Sequence, residues 1–174
     1  DWSSDVCSSD LVHELFSNMN TKIKSAESLE EHELNKLLKY LSQNEHWIYY
    51  LLVRLGVSTA LRYSDLSRIK WSDILGKQTL ILTEKKTGKV REIPIAPELS
   101  QNLLSIYRNL GEPSTEKPII PLTIRSVNKQ IKVLATRAGI RGKRISTHTW
   151  RKTFGREVWN RNNQSEASLI KLSY

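Results

Sequence analysis

In the stretch "STHTWRKTFG", His148 and Arg151 stand three residues apart. On a helix that spacing leaves them about 60° apart in azimuth, away from the face on which Trp150, Phe154 and Val158 recur at i, i+4, i+8. An imidazole and a guanidinium so placed can address one ligand together, although the same spacing suits a solvated pair on a basic helix. "TALRYSDL" adds Arg62 with Asp65 three residues on, beside the very apolar run "WIYYLLV". An arginine at the edge of a core needs a carboxylate to hold its guanidinium, and Asp65 can supply one; an ordinary surface ion pair is the alternative. "EKKTGK" places Lys86 at a tight turn, from which a long cation can reach outward, as it also would in any basic turn.

These residues need elements to position them. "SLEE", Ser28 to Glu31, reads as a capping box, and Leu34, Leu37, Leu38 and Leu41 follow at the spacing of an amphipathic helix. Trp47 to Val57 is apolar nearly all round and predicts a buried helix. After a break near Ser58 to Leu61, Ser64 can cap a second short helix. "TLILTEKKTGKVREIPI" predicts a hairpin, two β-rich runs around Lys86-Thr87-Gly88-Lys89 with Ile93 and Ile95 alternating. Pro97 then starts a helix with Leu99, Leu103, Leu104 and Tyr107 on one face and Gly111 at its end. Val127, Ile131, Leu134 and Ala138 mark another helix, stopped by Gly139. The helix bearing Trp150 follows the basic loop "RGKRIS", and a final helix begins near Ser165. The fold class is α+β, mainly α-helical with one small antiparallel β-sheet.

Charge narrows the partners. Lys and Arg number 27 against 18 Asp and Glu, a net +9, so the surface should attract polyanions, nucleic acid first and acidic membrane second. The run from Trp47 ends at Arg54, far short of the roughly 20 residues of a membrane helix, and a soluble, cytoplasmic protein is expected. The single cysteine, Cys7, excludes an internal disulfide, and His13, His32, His46 and His148 are too scattered for a zinc site. No metal and no cofactor are expected. Residues 1–11, "DWSSDVCSSDL", lack the basic flank and apolar core of a signal peptide and resemble translated adapter sequence.

Taken together, "TALRYSDL", "KKTGK" and "HTWRKTFG" resemble the tyrosine recombinases, the phage-integrase-type DNA strand-exchange enzymes. In that family "TGLR.SEL" supplies a first arginine, a "KTGK"-like turn a lysine, and "H.LRHTF" a histidine and a second arginine. The resemblance covers residues 25–174 and implies that family's catalytic-domain fold. It casts Arg62, Lys86, His148 and Arg151 as catalytic, with Asp65 orienting the site through Arg62 or its neighbours. The chemistry agrees: two guanidinium forks can bind the trigonal-bipyramidal phosphorus formed when a phosphodiester is attacked. His148 would add a hydrogen bond and assist proton transfer, while Lys86 would protonate the departing 5′ oxygen. A tyrosine nucleophile would keep the bond energy in a 3′-phosphotyrosine link, with no need of ATP or Mg²⁺.

Tyr174 does not fit the nucleophile's place. In the family an "LS..LGH" stretch follows the second arginine, and the tyrosine comes only after it. "LIKLSY" matches the opening of that stretch, with Leu172 and Ser173 as its first letters. Ala167, Ile170 and Tyr174 also share an apolar face, so Tyr174 is expected to pack inward and no nucleophile is assigned in this chain. Basic residues in "TRAGIRGKR" and beyond, chiefly Arg141, Lys143, Arg144 and Lys152, are candidates for phosphate contacts that position duplex DNA; a solvated basic face is the alternative.

The expected organisation is non-native sequence at 1–11, a linker or remnant of an upstream domain at 12–24, and a C-terminally truncated catalytic domain at 25–174 that cannot cleave DNA as it stands. The expected partner is double-stranded DNA, and the family implies a homotetramer on two duplexes. Two other readings stay open: a non-catalytic basic DNA-binding module, which needs no convergence of the four candidates, and a metal-free phosphodiesterase using His148 with water.

Overall fold

The computed structural model describes residues 25–162. Its first helix, α1 (Glu31–Gln43), buries Leu34, Leu37, Leu38 and Leu41, the stripe predicted by periodicity. The helix starts two residues later than a Ser28 cap would place it. Leu29 is buried and its N–H donates to Thr153 Oγ1 (3.0 Å), which keeps the chain extended as far as Glu30. Glu33 Oε2 then accepts from the Glu30 N–H (2.7 Å), satisfying one of the donors a helix start leaves open.

The central helix α2 (Trp47–Thr59) divides the core. Leu51, Leu52 and Leu55 join one cluster with Leu61, Trp71, Leu80, Leu103 and Ile119. Val53 and Val57 join the other, with Leu37, Leu41, Ile131, Leu134 and Trp150. A helix buried on two sides must be apolar nearly all round, which its sequence is. It ends at Ala60, in the left-handed region at φ 53°, with the Ala60 N–H on the Gly56 carbonyl (3.1 Å). Arg62, in extended conformation, then caps the short α3 (Tyr63–Leu66); its carbonyl accepts from the Asp65 and Leu66 N–H groups, so Ser64 lies inside the helix instead of at its start.

Strands β1 (Thr79–Thr83) and β2 (Val90–Pro94) pair antiparallel, Thr79 opposite Pro94 and Thr83 opposite Val90. Leu80 and Ile93 face the core, while Ile81 and Val90 are exposed. Gly88, at φ 68°, supplies the left-handed step of the turn. Helix α4 (Pro97–Asn109) begins at proline as predicted and buries Leu99, Leu103 and Ile106. Leu104, expected on that face, is exposed; Ile106 turns in with the i, i+3 rhythm instead. Helix α5 (Ile124–Arg137) buries Val127, Ile131, Leu134 and Ala135, and Ala138 follows it, half-buried. Helix α6 (Thr149–Arg161) fully buries Trp150, while Phe154 and Val158 are half-buried.

Contact between α2 and α6 depends on a missing side chain. A Cβ on Gly56 would come within 2.8 Å of Trp150 Cβ and Cδ1, so glycine lets the indole lie on the α2 backbone and draws α6 against the corner at Ala60. The predicted α+β architecture, mainly helical with one small antiparallel sheet, is the one observed. The expected final helix near Ser165 and Tyr174 lie outside the described residues.

Candidate active site

Arg62 and Arg151 are far apart in sequence but meet at the corner where α2 ends. Arg151, one turn into α6, donates from Nη1 to the Ala60 carbonyl at 2.5 Å, two residues ahead of Arg62. Burial lowers the pKa of Arg151, the charge of Arg62 lowers it further, and Arg91 adds to the effect. Glu84 and Asp65 oppose that shift. The guanidinium, a cation as arginine is throughout the working pH range, sits in a partly desolvated, electropositive corner, where an arriving anion gains more than it would in water.

Arg62 is held by Glu84, not by Asp65. Its Nη1 donates to Glu84 Oε2 at 3.1 Å. Glu84 is only 7% exposed; it also accepts from Thr87 Oγ1 at 2.8 Å and, through Oε1, from Arg91 Nη1 at 3.3 Å. The Thr87 hydroxyl, aided by Arg91 and Arg62, holds the Glu84 carboxyl below the usual carboxylate range against the opposing effect of burial. Asp65, 3% exposed, turns instead to the hairpin, where Oδ1 accepts the Lys85 N–H at 2.9 Å. The direct pairing of Asp65 with Arg62 does not form: the carboxylate three residues on reaches the β1–β2 turn, and a carboxylate from that turn reaches back to Arg62.

Lys86 sits exposed in that turn, with no hydrogen bond or ion pair to another described residue. The turn itself is well tied. Glu84 N–H bonds to the Lys89 carbonyl, Gly88 N–H to the Glu84 carbonyl (both 2.9 Å), and Asp65 and Arg62 hold it from outside. His148 caps α6, exposed, with its backbone N–H on Ser146 Oγ at 3.2 Å. Nearby, Asn128 Oδ1 of α5 accepts the Thr147 N–H (2.9 Å) and fixes the approach to α6.

The four candidates for duplex contact separate. Arg141 is exposed and makes no side-chain hydrogen bond or ion pair among the described residues. Lys143 pairs with Glu33 and donates to the Ser28 carbonyl (3.2 Å). Arg144 lies against Glu27 and donates from Nε to the Ser25 carbonyl (3.0 Å). Lys152 donates to Ser25 Oγ (3.1 Å) and the Ala26 carbonyl (2.7 Å). Three of the four thus fasten the segment ahead of α1 to α6 and its loop, and Arg156 does the same through Glu30. Glu84 and Arg91 are the site residues that sequence reasoning passed over. The available signal was an acid directly ahead of the basic turn, Glu84 before "KKTGK".

Residues 27–167 match the phage integrase family. This chain belongs to that family. A Bacillus subtilis relative, the probable integrase/recombinase YoeC, is 30% identical over 146 residues, 80% of this chain and 75% of its own length. Among solved structures, the lambda integrase catalytic core superposes with a TM-score of 0.60 at 23% identity, over 79% of this chain and 86% of that one. The XerA recombinase gives 0.64 at 22% identity, over 86% of this chain and 55% of its own. A lambda integrase tetramer bound to a Holliday junction gives 0.60 at 22% identity, over 87% and 50%. The fold of this integrase-family chain is thus that of the tyrosine recombinase catalytic cores, and no helix among its described residues is long and apolar enough to cross a membrane.

Proposed function

We propose that this integrase-family chain is the catalytic domain of a site-specific DNA recombinase that cleaves and rejoins strands through a 3′-phosphotyrosine link. Arg62 and Arg151 take the non-bridging oxygens of the scissile phosphate, and charge developing there in the transition state is met by guanidiniums already in place. Lys86 protonates the departing 5′ oxygen from the exposed turn, and His148 donates to the phosphate and assists proton transfer. Asp65 orients the turn that carries Lys86. The nucleophile is a tyrosine other than Tyr174.

The observation that carries the reading is the meeting of Arg62 and Arg151 at one half-buried corner, where Arg151 bonds the carbonyl two residues ahead of Arg62 and feels its charge. A module that only binds DNA has no need to bring two arginines from distant elements into mutual repulsion. Double-stranded DNA is the proposed partner, and a tetramer on two duplexes the proposed working assembly, in keeping with the lambda integrase tetramer seen on a Holliday junction.

The test uses protein expressed from the whole reading frame and a pool of nicked duplexes with a randomised core, so that no target need be known. Covalent adducts, recovered under denaturing conditions and sequenced, are expected from the wild type and from Tyr174→Phe but not from Arg151→Ala. Adducts that persist in Arg151→Ala would remove that residue from the mechanism. No adduct from the wild type would leave the binding module as the better reading, and loss in Tyr174→Phe would restore Tyr174 as nucleophile.

A further inference from the structure

We propose that Glu84 is a positioning residue that joins Arg62 to the β1–β2 turn, so that the phosphate-binding guanidinium and the proton-donating Lys86 are placed as one unit. The inference rests on the recombinase reading for its functional half. Its structural half stands by itself.

Buried carboxylates are stabilised by filling their lone pairs, and Glu84 fills its own from three different places. Arg62 comes from the cap of α3, Thr87 from the turn and Arg91 from β2. The bonds to Arg62 and Thr87 end on the same oxygen, Oε2. Thr87 immediately follows Lys86, so a shift of the turn that moved Lys86 would pull Thr87, Glu84 and then Arg62. Asp65 closes the loop from the other side, because it lies three residues after Arg62 on α3 and holds the Lys85 N–H. Two carboxylates thus cross between the same two segments in opposite directions, and the residue between their attachment points in the turn is Lys86.

The arrangement also explains why an acid is tolerated among phosphate-binding cations. Glu84 neutralises part of the repulsion among Arg62, Arg91 and Arg151 in the DNA-free site. Its charge-assisted bonds fix the planar fork of Arg62 before phosphate arrives, which lowers the ordering cost of binding.

The structural half is tested without cleavage, on the 174-residue chain, by amide hydrogen exchange of the turn. Arg62→Ala should speed exchange at Lys85 and Gly88 by about fivefold or more although Arg62 is on another element. In an Glu84→Gln background, Arg62→Ala should add little. Unchanged exchange in Arg62→Ala, or fully additive effects of the two substitutions, would overturn the tie. Glu84→Gln keeps the size and shape of the side chain, and its thermal unfolding separates a local effect from a failure to fold.

The functional half uses the full-reading-frame protein and adduct formation on paired substrates with oxygen or sulfur at the 5′ bridging position. A sulfur leaving group departs without a proton, so it bypasses Lys86 but not Arg62. Glu84→Gln should slow adduct formation roughly tenfold to a hundredfold on the oxygen substrate, the scale of a small misplacement, and sulfur should recover only part. Complete recovery would strike Arg62 from the unit, no recovery would strike Lys86, and a wild-type rate on oxygen would end the proposal. Arg62→Ala that still forms adducts would instead count against the recombinase reading, leaving the exchange result to stand.

Discussion

Around Arg62 and Arg151 the cations outnumber the nearby carboxylates, with Arg91 as a third guanidinium against Glu84 and Asp65, of which only Glu84 bonds an arginine. At Lys143, Arg144, Lys152 and Arg156, by contrast, each cation is matched by a carboxylate or carbonyl of the segment Ser25 to Glu33. The two regions look alike in composition, and on sequence alone both are candidates for contact with DNA. Their difference is one of unspent capacity. The first corner holds half-buried positive charge that phosphate can still satisfy, while the second has used most of its donors to fasten the chain that leads into α1. A basic cluster becomes a binding site only after the fold has taken what it needs.

The sharpest way to break this contrast is to remove one arginine from each region. Arg151→Ala should reduce adduct formation by about a hundredfold or more, as loss of a preorganised transition-state donor does, whereas Arg144→Ala should leave the rate within a few-fold of wild type. Equal losses would erase the distinction.

Packing that brings the first corner together should be the next most sensitive feature. Gly56→Ala forces a methyl against the Trp150 Cβ and should cost about 1–3 kcal/mol in chemical denaturation, as overpacking of a tight core contact does. An unchanged denaturation midpoint would mean that α6 can stand off from α2 without penalty.

Salt dependence sharpens the comparison further. Lys86→Ala or Arg141→Ala should lower the slope of log affinity against log salt for a duplex by about one phosphate contact each. Lys143→Ala should leave that slope unchanged and instead lower stability, because Glu33, which it partners, is largely buried. A reduced slope in Lys143→Ala would return that lysine to the DNA surface.

The smallest effects are expected on stability, from the backbone at Ala60 and from the charge of Glu84. Ala60→Gly should stabilise the fold by about 0.5–1 kcal/mol, since a left-handed residue at φ 53° suits glycine better than alanine. Glu84 has a folded pKa below its ordinary value, so its stabilising contribution is present above the unfolded-state pKa of about 4.3. That contribution is lost as pH falls through the lower folded value. Glu84→Gln should therefore flatten acid unfolding in that window and leave its shape near neutrality unchanged.

Much of this could be read from sequence because helices advertise themselves by period. The stripes on α1 and α5 and the all-apolar α2 are buried largely as their spacing predicts, and the hairpin turn falls where Gly88 permits it. On α4 the apolar residues allow two overlapping faces, so Leu104 and Ile106 exchange roles only once the neighbouring elements choose. The start of α1 depends on Thr153, more than a hundred residues away, and no local motif could report that bond. The same limit explains Glu84 and Asp65. Sequence shows that arginines near a core need carboxylates, but proximity along the chain favours the wrong pairing, and only the folded hairpin reveals that each acid serves the opposite segment.

Ala60 offers Arg151 a backbone carbonyl as its acceptor, and a carbonyl is present whatever amino acid occupies the position. Amino-acid exchange at residue 60 therefore cannot delete this contact outright; it can only re-aim it by disturbing the left-handed turn. Heritable variation at this corner should accordingly be filtered by backbone angle and not by side-chain chemistry. A saturation library would be expected to retain glycine, alanine and asparagine there and to discard valine and isoleucine, whose branched side chains resist positive φ.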